Sequence, residues 1–108
     1  MRTAFMVLSI LLGAIPPATI RVSPQVLMGG QTVYVTCRVS PDSRNRELRA
    51  GITGYTESGR QLDGKDAPIT SIHRFDYIPC DAESAYCAVL RNDGSLNIVK
   101  ANLLVSCQ

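Results

Sequence analysis

Gln31-Thr32-Val33-Tyr34-Val35-Thr36-Cys37-Arg38-Val39-Ser40 alternates strictly, with Val33, Val35, Cys37 and Val39 on one side and Thr32, Tyr34, Thr36 and Arg38 on the other. Successive side chains of an extended chain point to opposite faces, so the stretch predicts a half-buried β-strand with a cysteine on its apolar side. Outward from it, turn residues recur at short intervals: Gly29-Gly30, Pro41-Asp42-Ser43, Ser58-Gly59, Asp63-Gly64, Pro79 and Asn92-Asp93-Gly94. Runs rich in β-branched residues lie between them and no segment carries a long helical apolar stripe. This punctuation predicts an all-β sandwich or barrel.

A further strand is expected from about Glu47 to Tyr55, with Leu48, Ala50 and Ile52 on one side and Arg49 and Thr53 on the other; Gly51 and Gly54 read as marks of a bulge. Ile69 to Ile78 is rich in Ile, Thr, Phe and Tyr and reads as a strand of mixed faces. Pro79 ends it, because proline has no N–H to give to a sheet. Near the C-terminus, Ala85 to Leu90 and Leu96 to Val105 are apolar runs joined by Arg91-Asn92-Asp93-Gly94-Ser95. Asp-Gly is a favoured two-residue hairpin turn. With Asp93 and Gly94 as that turn, Asn92 faces Ser95, and the same register carried along the strands sets Cys80 opposite Cys107. A bulge near Val99 and Lys100 would shift this alignment.

A chain of 108 residues, 45% hydrophobic and 6% aromatic with no Trp, has room for one domain and one modest core. The net charge of +2 and pI near 8.4 imply neither nucleic acid nor an anionic membrane as partner. Arg38, Arg44, Arg46 and Arg49 crowd one stretch, which reads as a solvated rim, with an acidic ligand as the alternative. Met1-Arg2-Thr3 carries one positive charge and Ala4 to Ala14 is an apolar run ending in small residues, as in an export leader. Residues 1–18 are therefore expected to be a signal peptide, cut after Ala14 or Ala18, and 19–108 the mature domain. The alternative is a hydrophobic first strand or buried helix of the domain itself. The run falls short of the roughly 20 apolar residues a membrane span needs, so no transmembrane anchor is expected. The four cysteines, Cys37, Cys80, Cys87 and Cys107, allow three pairings and predict two disulfides in an exported chain. Zinc is the competing reading, but the sequence has no C-x-x-C pair and a single His. The hairpin register favours Cys80 with Cys107, which leaves Cys37 for Cys87.

Cys37 within an alternating strand, followed later by Asp81-Ala82-Glu83-Ser84-Ala85-Tyr86-Cys87, resembles the two cysteine strands of immunoglobulin-like domains, called B and F. The resemblance covers roughly Arg21 to Cys107. It implies an immunoglobulin-like sandwich of about seven antiparallel strands, in which Cys37 to Cys87 bridges the two sheets. The chain departs from the family in two places: the core Trp of the third strand is missing, its space left to Ile52 or Leu48, and Ala85 stands where a tyrosine precedes the second cysteine. Asn45-Arg46-Glu47-Leu48, Arg60-Gln61-Leu62-Asp63-Gly64 and Ala67-Pro68-Ile69-Thr70 are similar to short divergent immunoglobulin-like proteins of bacteriophages and other microbial genomes. That likeness implies a secreted or extracytoplasmic adhesion module for a cell-surface protein or glycan, displayed in several copies on a virion or envelope for avidity.

For catalysis the only candidate base is His73, within Ser71, His73 and Asp76. On a strand Ser71 and His73 share a face and Asp76 takes the other, so a serine-type triad fails geometrically and no enzyme is expected. Asp63 and Asp66 around Gly64-Lys65 are spaced for a turn held by Asp side chains, with calcium as the weaker alternative. Neither G-x-G-x-x-G nor a Walker A pattern nor an Asn-x-Ser/Thr sequon occurs, and no cofactor is expected. In the implied topology the Pro41–Arg46 loop and the Asn92–Ser95 turn fall at one end. They offer Arg44, Asn45, Arg46, Asn92 and Asp93 as a polar ligand-binding surface. Two other classes compete: a small secreted protease inhibitor or effector acting through a Ser58–Asp66 loop, and a structural decoration protein docking by a strand edge.

Overall fold

In the computed structural model, which describes residues 16–64 and 68–107, the alternating stretch is the middle strand of a sheet, and Val33, Val35, Cys37 and Val39 are each at most 1% exposed. The described strands are β1 (Ala18–Ser23), β2 (Val26–Met28), β3 (Val33–Val39), β4 (Asn45–Ile52), β5 (Thr56–Gln61), β6 (Ile69–Phe75), β7 (Ser84–Arg91), β8 (Leu96–Asn102) and β9 (Leu104–Ser106). One sheet has the order β1-β3-β6 and the other β5-β4-β7-β8, each antiparallel throughout. Apolar residues from the inner faces, among them Leu48, Ala50, Ile52, Ala85 and Val89, meet in one core, making a β-sandwich. Leu48 and Ile52, expected to fill the place of a core Trp, are at most 1% exposed.

The strand count corrects the expectation of about seven antiparallel strands: nine are present among the described residues, and β2 pairs with β9 in parallel. The reason lies at two interruptions. Pro24 separates β1 from β2 because it cannot donate to a ladder. Buried Leu103 takes the chain off β7, its N–H donating to the Glu83 carbonyl, and Leu104 then donates to the Gln25 carbonyl. The chain thus leaves one sheet after β8, and β9 pairs with β2, which closes that side of the sandwich.

The C-terminal hairpin is also one residue out of the expected register. Leu90 faces Leu96, and the turn has three residues, with Arg91 N–H donating to the Ser95 carbonyl and Gly94 N–H to the Arg91 carbonyl, both at 3.0 Å. Gly94 sits at φ 86°, the left-handed position such a turn requires. No bulge interrupts β7 against β8; the register shift lies between Asn45 and Glu47 on β4. Gly51, read as a bulge, is a close approach instead: Tyr86 leans across it, and an added Cβ would lie 2.6 Å from the tyrosine oxygen.

Two disulfides form, Cys37 to Cys87 and Cys80 to Cys107, with Cα separations of 5.9 and 5.7 Å. The first crosses the core between β3 and β7. The second joins the segment after Pro79 to the end of β9 at the surface, although the hairpin ladder stops well short of it at Ser84 and Asn102. Gly29 is required there, since a Cβ would fall 2.6 and 2.8 Å from the two sulfurs. Both bonds point to an oxidising compartment. Among the described residues no helix is long and apolar enough to cross a membrane.

Loop-closure entropy assigns about 4 kcal/mol to the bond spanning 50 residues and about 3.5 kcal/mol to the one spanning 27. The inner bond also fills the core, so its loss leaves a cavity. Urea unfolding is expected to rank Cys37→Ala/Cys87→Ala as the more destabilised, by at least about 4 kcal/mol, with Cys80→Ala/Cys107→Ala losing about 3 kcal/mol and staying folded.

Candidate functional site

The turn between β3 and β4 and the β7–β8 turn do meet at one end of the sandwich, where the Asn92 N–H donates to the Arg44 carbonyl at 2.7 Å. The side chains there are spent on each other. Arg44 lies 2.9 Å from Asp42 and 3.2 Å from Asp93, and Arg91 approaches Asp42 at 3.4 Å. Asn45 is buried; its amide donates to the Ser40 carbonyl at 3.1 Å and its oxygen accepts from Arg91 at 3.4 Å. Asp93 accepts from the Ser95 N–H at 2.9 Å and so shapes the turn. Hydrogen bonds from Arg44 hold the Asp42 carboxyl well below the usual carboxylate range, and those from Ser95, then Arg44, lower Asp93. Arg46 and Asn92 remain exposed. The predicted ligand set is thus assembled in space, with Arg44 and Asp93 compensating each other.

Ser71, His73 and Phe75 alternate on the inner face of β6, which places the lone histidine inside the sandwich. His73 Nε2 is 2.7 Å from Ser71 Oγ and its Nδ1 3.0 Å from Ser58 Oγ on β5. A neutral imidazole donates through one nitrogen and accepts at the other, so the chain of three side chains joins the two sheets at their β5–β6 side. Asp76 is on the other face, accepting from Thr32 at 2.6 Å and Arg74 at 2.9 Å, as the period-2 argument requires. All four cysteines are tied in disulfides, which answers the zinc reading. Asp66 and Lys65, part of the calcium alternative, lie outside the described residues.

The outer face of β1, β3 and β6 is built differently. Its cross-strand rows run Thr19, Arg38, Thr70; then Arg21, Thr36, Ile72; then Ser23, Tyr34, Arg74. A shallow concavity of ≈ 410 Å³ is lined by Thr19, Ile20, Arg21, Thr36, Arg38 and Thr70. Arg38 donates to Thr70 Oγ1 at 3.3 Å, and among the described residues neither Arg38 nor Arg21 has a carboxylate partner. The arginines that crowd together in sequence are dispersed in space: Arg38 belongs to this face, Arg44 to the loop end, and Arg49 to the other sheet, where it pairs with Glu47 and Glu57. Arg38's true neighbour is Arg21, a residue that no local motif singles out. The signal available was the alternation of Thr19, Arg21 and Ser23, legible only once β1 is known to lie beside β3.

Burial, with the Arg60 charge adding to it, pushes the His73 imidazole below its ordinary value. The unfolded chain therefore takes up the proton first as pH falls, and folding stability contributed by neutral His73 is full above about pH 6.5 and declines below it. Urea midpoints measured from pH 8 down to 5 are expected to fall for the wild type and to stay flat over that window for His73→Asn. A separate loss at lower pH, from the lowered carboxyls of Asp42, Asp76 and Asp93, persists in both.

No family model and no curated protein matches this chain. Among solved structures it is similar to a variant of the superoxide reductase (neelaredoxin) from Ignicoccus hospitalis, at 12% identity over 91% of this chain and 86% of that one, with a TM-score of 0.65. It is also similar to the sulfur carrier protein SoxY from Chlorobium limicola, at 13% identity over 95% of this chain and 96% of that one, with a TM-score of 0.60. At such identities the likeness is one of fold, and it places this chain among all-β proteins built of packed sheets.

Proposed function

We propose that this chain is an exported immunoglobulin-like binding module that recognises carbohydrate on a cell surface. The immunoglobulin-like reading is supported by the cysteine strands β3 and β7 lying in facing sheets, with a β1-β3-β6 sheet opposed to β5-β4-β7-β8. Export is supported by the two disulfides; residues 1–15 of the expected 1–18 signal peptide lie outside the described residues, and its last residue, Ala18, is buried at the start of β1, which favours the cut after Ala14 over the one after Ala18. Recognition rests on one observation, the concavity of ≈ 410 Å³ on the outer face of β1, β3 and β6, where Thr19, Thr36 and Thr70 set hydroxyls around two arginines. Hydroxyls and guanidinium groups suit sugar hydroxyls as hydrogen-bond partners, and the strands that carry them need no backbone ordering on binding. A binder is favoured over a catalyst because the one histidine is engaged with Ser58 and Ser71 inside the sandwich.

Exported, labelled protein is expected to bind a restricted set of glycans on an array and to decorate whole cells, with free glycan competing. Binding to neither array nor cells overturns the reading. Protease inhibition by the isolated domain would then favour the inhibitor class, and concentration-dependent self-association the decoration class.

A further inference from the structure

We infer that the glycan bound is an acidic polysaccharide, its sulfate or carboxylate groups held by Arg21 and Arg38 across the outer face of β1, β3 and β6; this rests on the recognition reading above. Charge placement is the first support. Arg44, Arg49, Arg74 and Arg91 are ion-paired with carboxylates, and Arg21, Arg38, Arg46 and Arg60 have no such pair among the described residues; of these four, Arg21 and Arg38 line one concavity together, while Arg46 and Arg60 lie on β4 and β5 of the other sheet. The one acid described on this face is Asp76, at its far end, and Arg74 and Thr32 already occupy it. Among the described residues the concavity is thus an uncompensated positive site, on a chain whose total charge is only +2.

Register supplies the second support. Arg21 faces Thr36 while Arg38 faces Thr19 on one side and Thr70 on the other, so the two arginines are diagonal neighbours across β1 and β3. Diagonal positions in an antiparallel pair lie about 7–8 Å apart, close enough for two flexible guanidinium groups to grip one anionic group or two successive ones. Each guanidinium is a planar fork that matches a carboxylate or sulfate with paired hydrogen bonds, and it gives up water more readily than an ammonium does. The threonine hydroxyls beside each arginine are placed for the neutral oxygens of the same sugars.

Shape is the third support. With the leader cut after Ala14, which keeps Pro16 in the mature domain, a second concavity of ≈ 220 Å³, lined by Pro16, Thr19, Arg38, Ser40, Pro41 and Pro68, shares Thr19 and Arg38 with the first. The two together form a track along the sheet, suited to an extended chain and not to a single small ion. Tyr34 and Ile72, 43% and 65% exposed, stand next to Thr36 on the same face and offer apolar surface to sugar C–H faces. Two cations on a flat sheet attract an anionic chain weakly at a distance, since charges are screened beyond about 8 Å at physiological salt. Affinity must therefore come from contact.

The test titrates the full exported chain against immobilised heparin, a sulfate-free polyuronate, neutral dextran and single-stranded DNA at physiological salt. The expected result is binding to heparin, the polyuronate or both, none to dextran, and at least about tenfold weaker binding to DNA. Preference between heparin and polyuronate identifies sulfate or carboxylate as the group held. Arg21→Gln/Arg38→Gln is expected to lose at least about tenfold in affinity with an unchanged urea midpoint, while Arg60→Gln/Lys100→Gln, which removes the same charge elsewhere, stays within about twofold. Wild-type affinity in the Arg21→Gln/Arg38→Gln variant overturns the site, as do equal losses in both double variants or equal affinity for DNA. Binding of the wild type to neutral glycans alone overturns the acidic ligand and leaves the recognition reading standing; binding to no glycan and no cell removes both.

Discussion

The Cys37–Cys87 bond ties β3 of one sheet to β7 of the other through the middle of the core, and most of the remaining architecture depends on that tie. With 108 residues and no Trp, the chain buries mostly Val, Ala, Leu and Ile, side chains that fill space without locking one sheet over the other. A covalent link at the centre fixes which faces meet. Every alternating residue on β3 and β7 is then committed inward or outward, since a slip of one position would turn the whole apolar set to solvent.

Away from that centre the two sides of the sandwich are closed by different means. On one side the chain itself crosses over, β8 leaving β7 at Leu103 so that β9 can pair with β2, and Cys80–Cys107 pins the crossing. On the other, closure is polar: Ser58, His73 and Ser71 form a hydrogen-bonded chain between β5 and β6. On the outer face of the sheet that contains β5, Tyr86 reaches over Gly51 to Glu57, its hydroxyl pushed up to about 12 by burial and by the carboxylate it bonds. A hydrogen-bonded chain of this kind is satisfied only with every partner in place.

The distribution of charge follows the same division of labour. Loop ends that were attractive as binding surfaces carry opposite charges at hydrogen-bonding distance, and these pairs shape the turns. The outer face of β1, β3 and β6 has no acid at its centre among the described residues, and there Arg21 and Arg38 stand without a carboxylate partner. A residue's value for recognition thus depends less on its type than on whether the fold has already given it a partner.

The sequence by itself determined the class of the protein: alternation in Gln31–Ser40 and regular turn residues specify strands, and four cysteines in one short chain specify two disulfides, whose pairing the assembled fold decided, since the hairpin register that favoured Cys80 with Cys107 is one residue out. Those signals are local, and each rests on the geometry of an extended chain or a tight turn. It also placed Ser71 and His73 on one face and Asp76 on the other, for the same reason. Tertiary structure alone decided that β1 lies beside β3, that the last strand crosses to pair with β2, and that the hairpin turn has three residues, because strand order and register depend on contacts between residues far apart in the chain. For the same reason the loop charges could not be read as paired, nor Arg21 and Arg38 as neighbours, until the sheets were assembled.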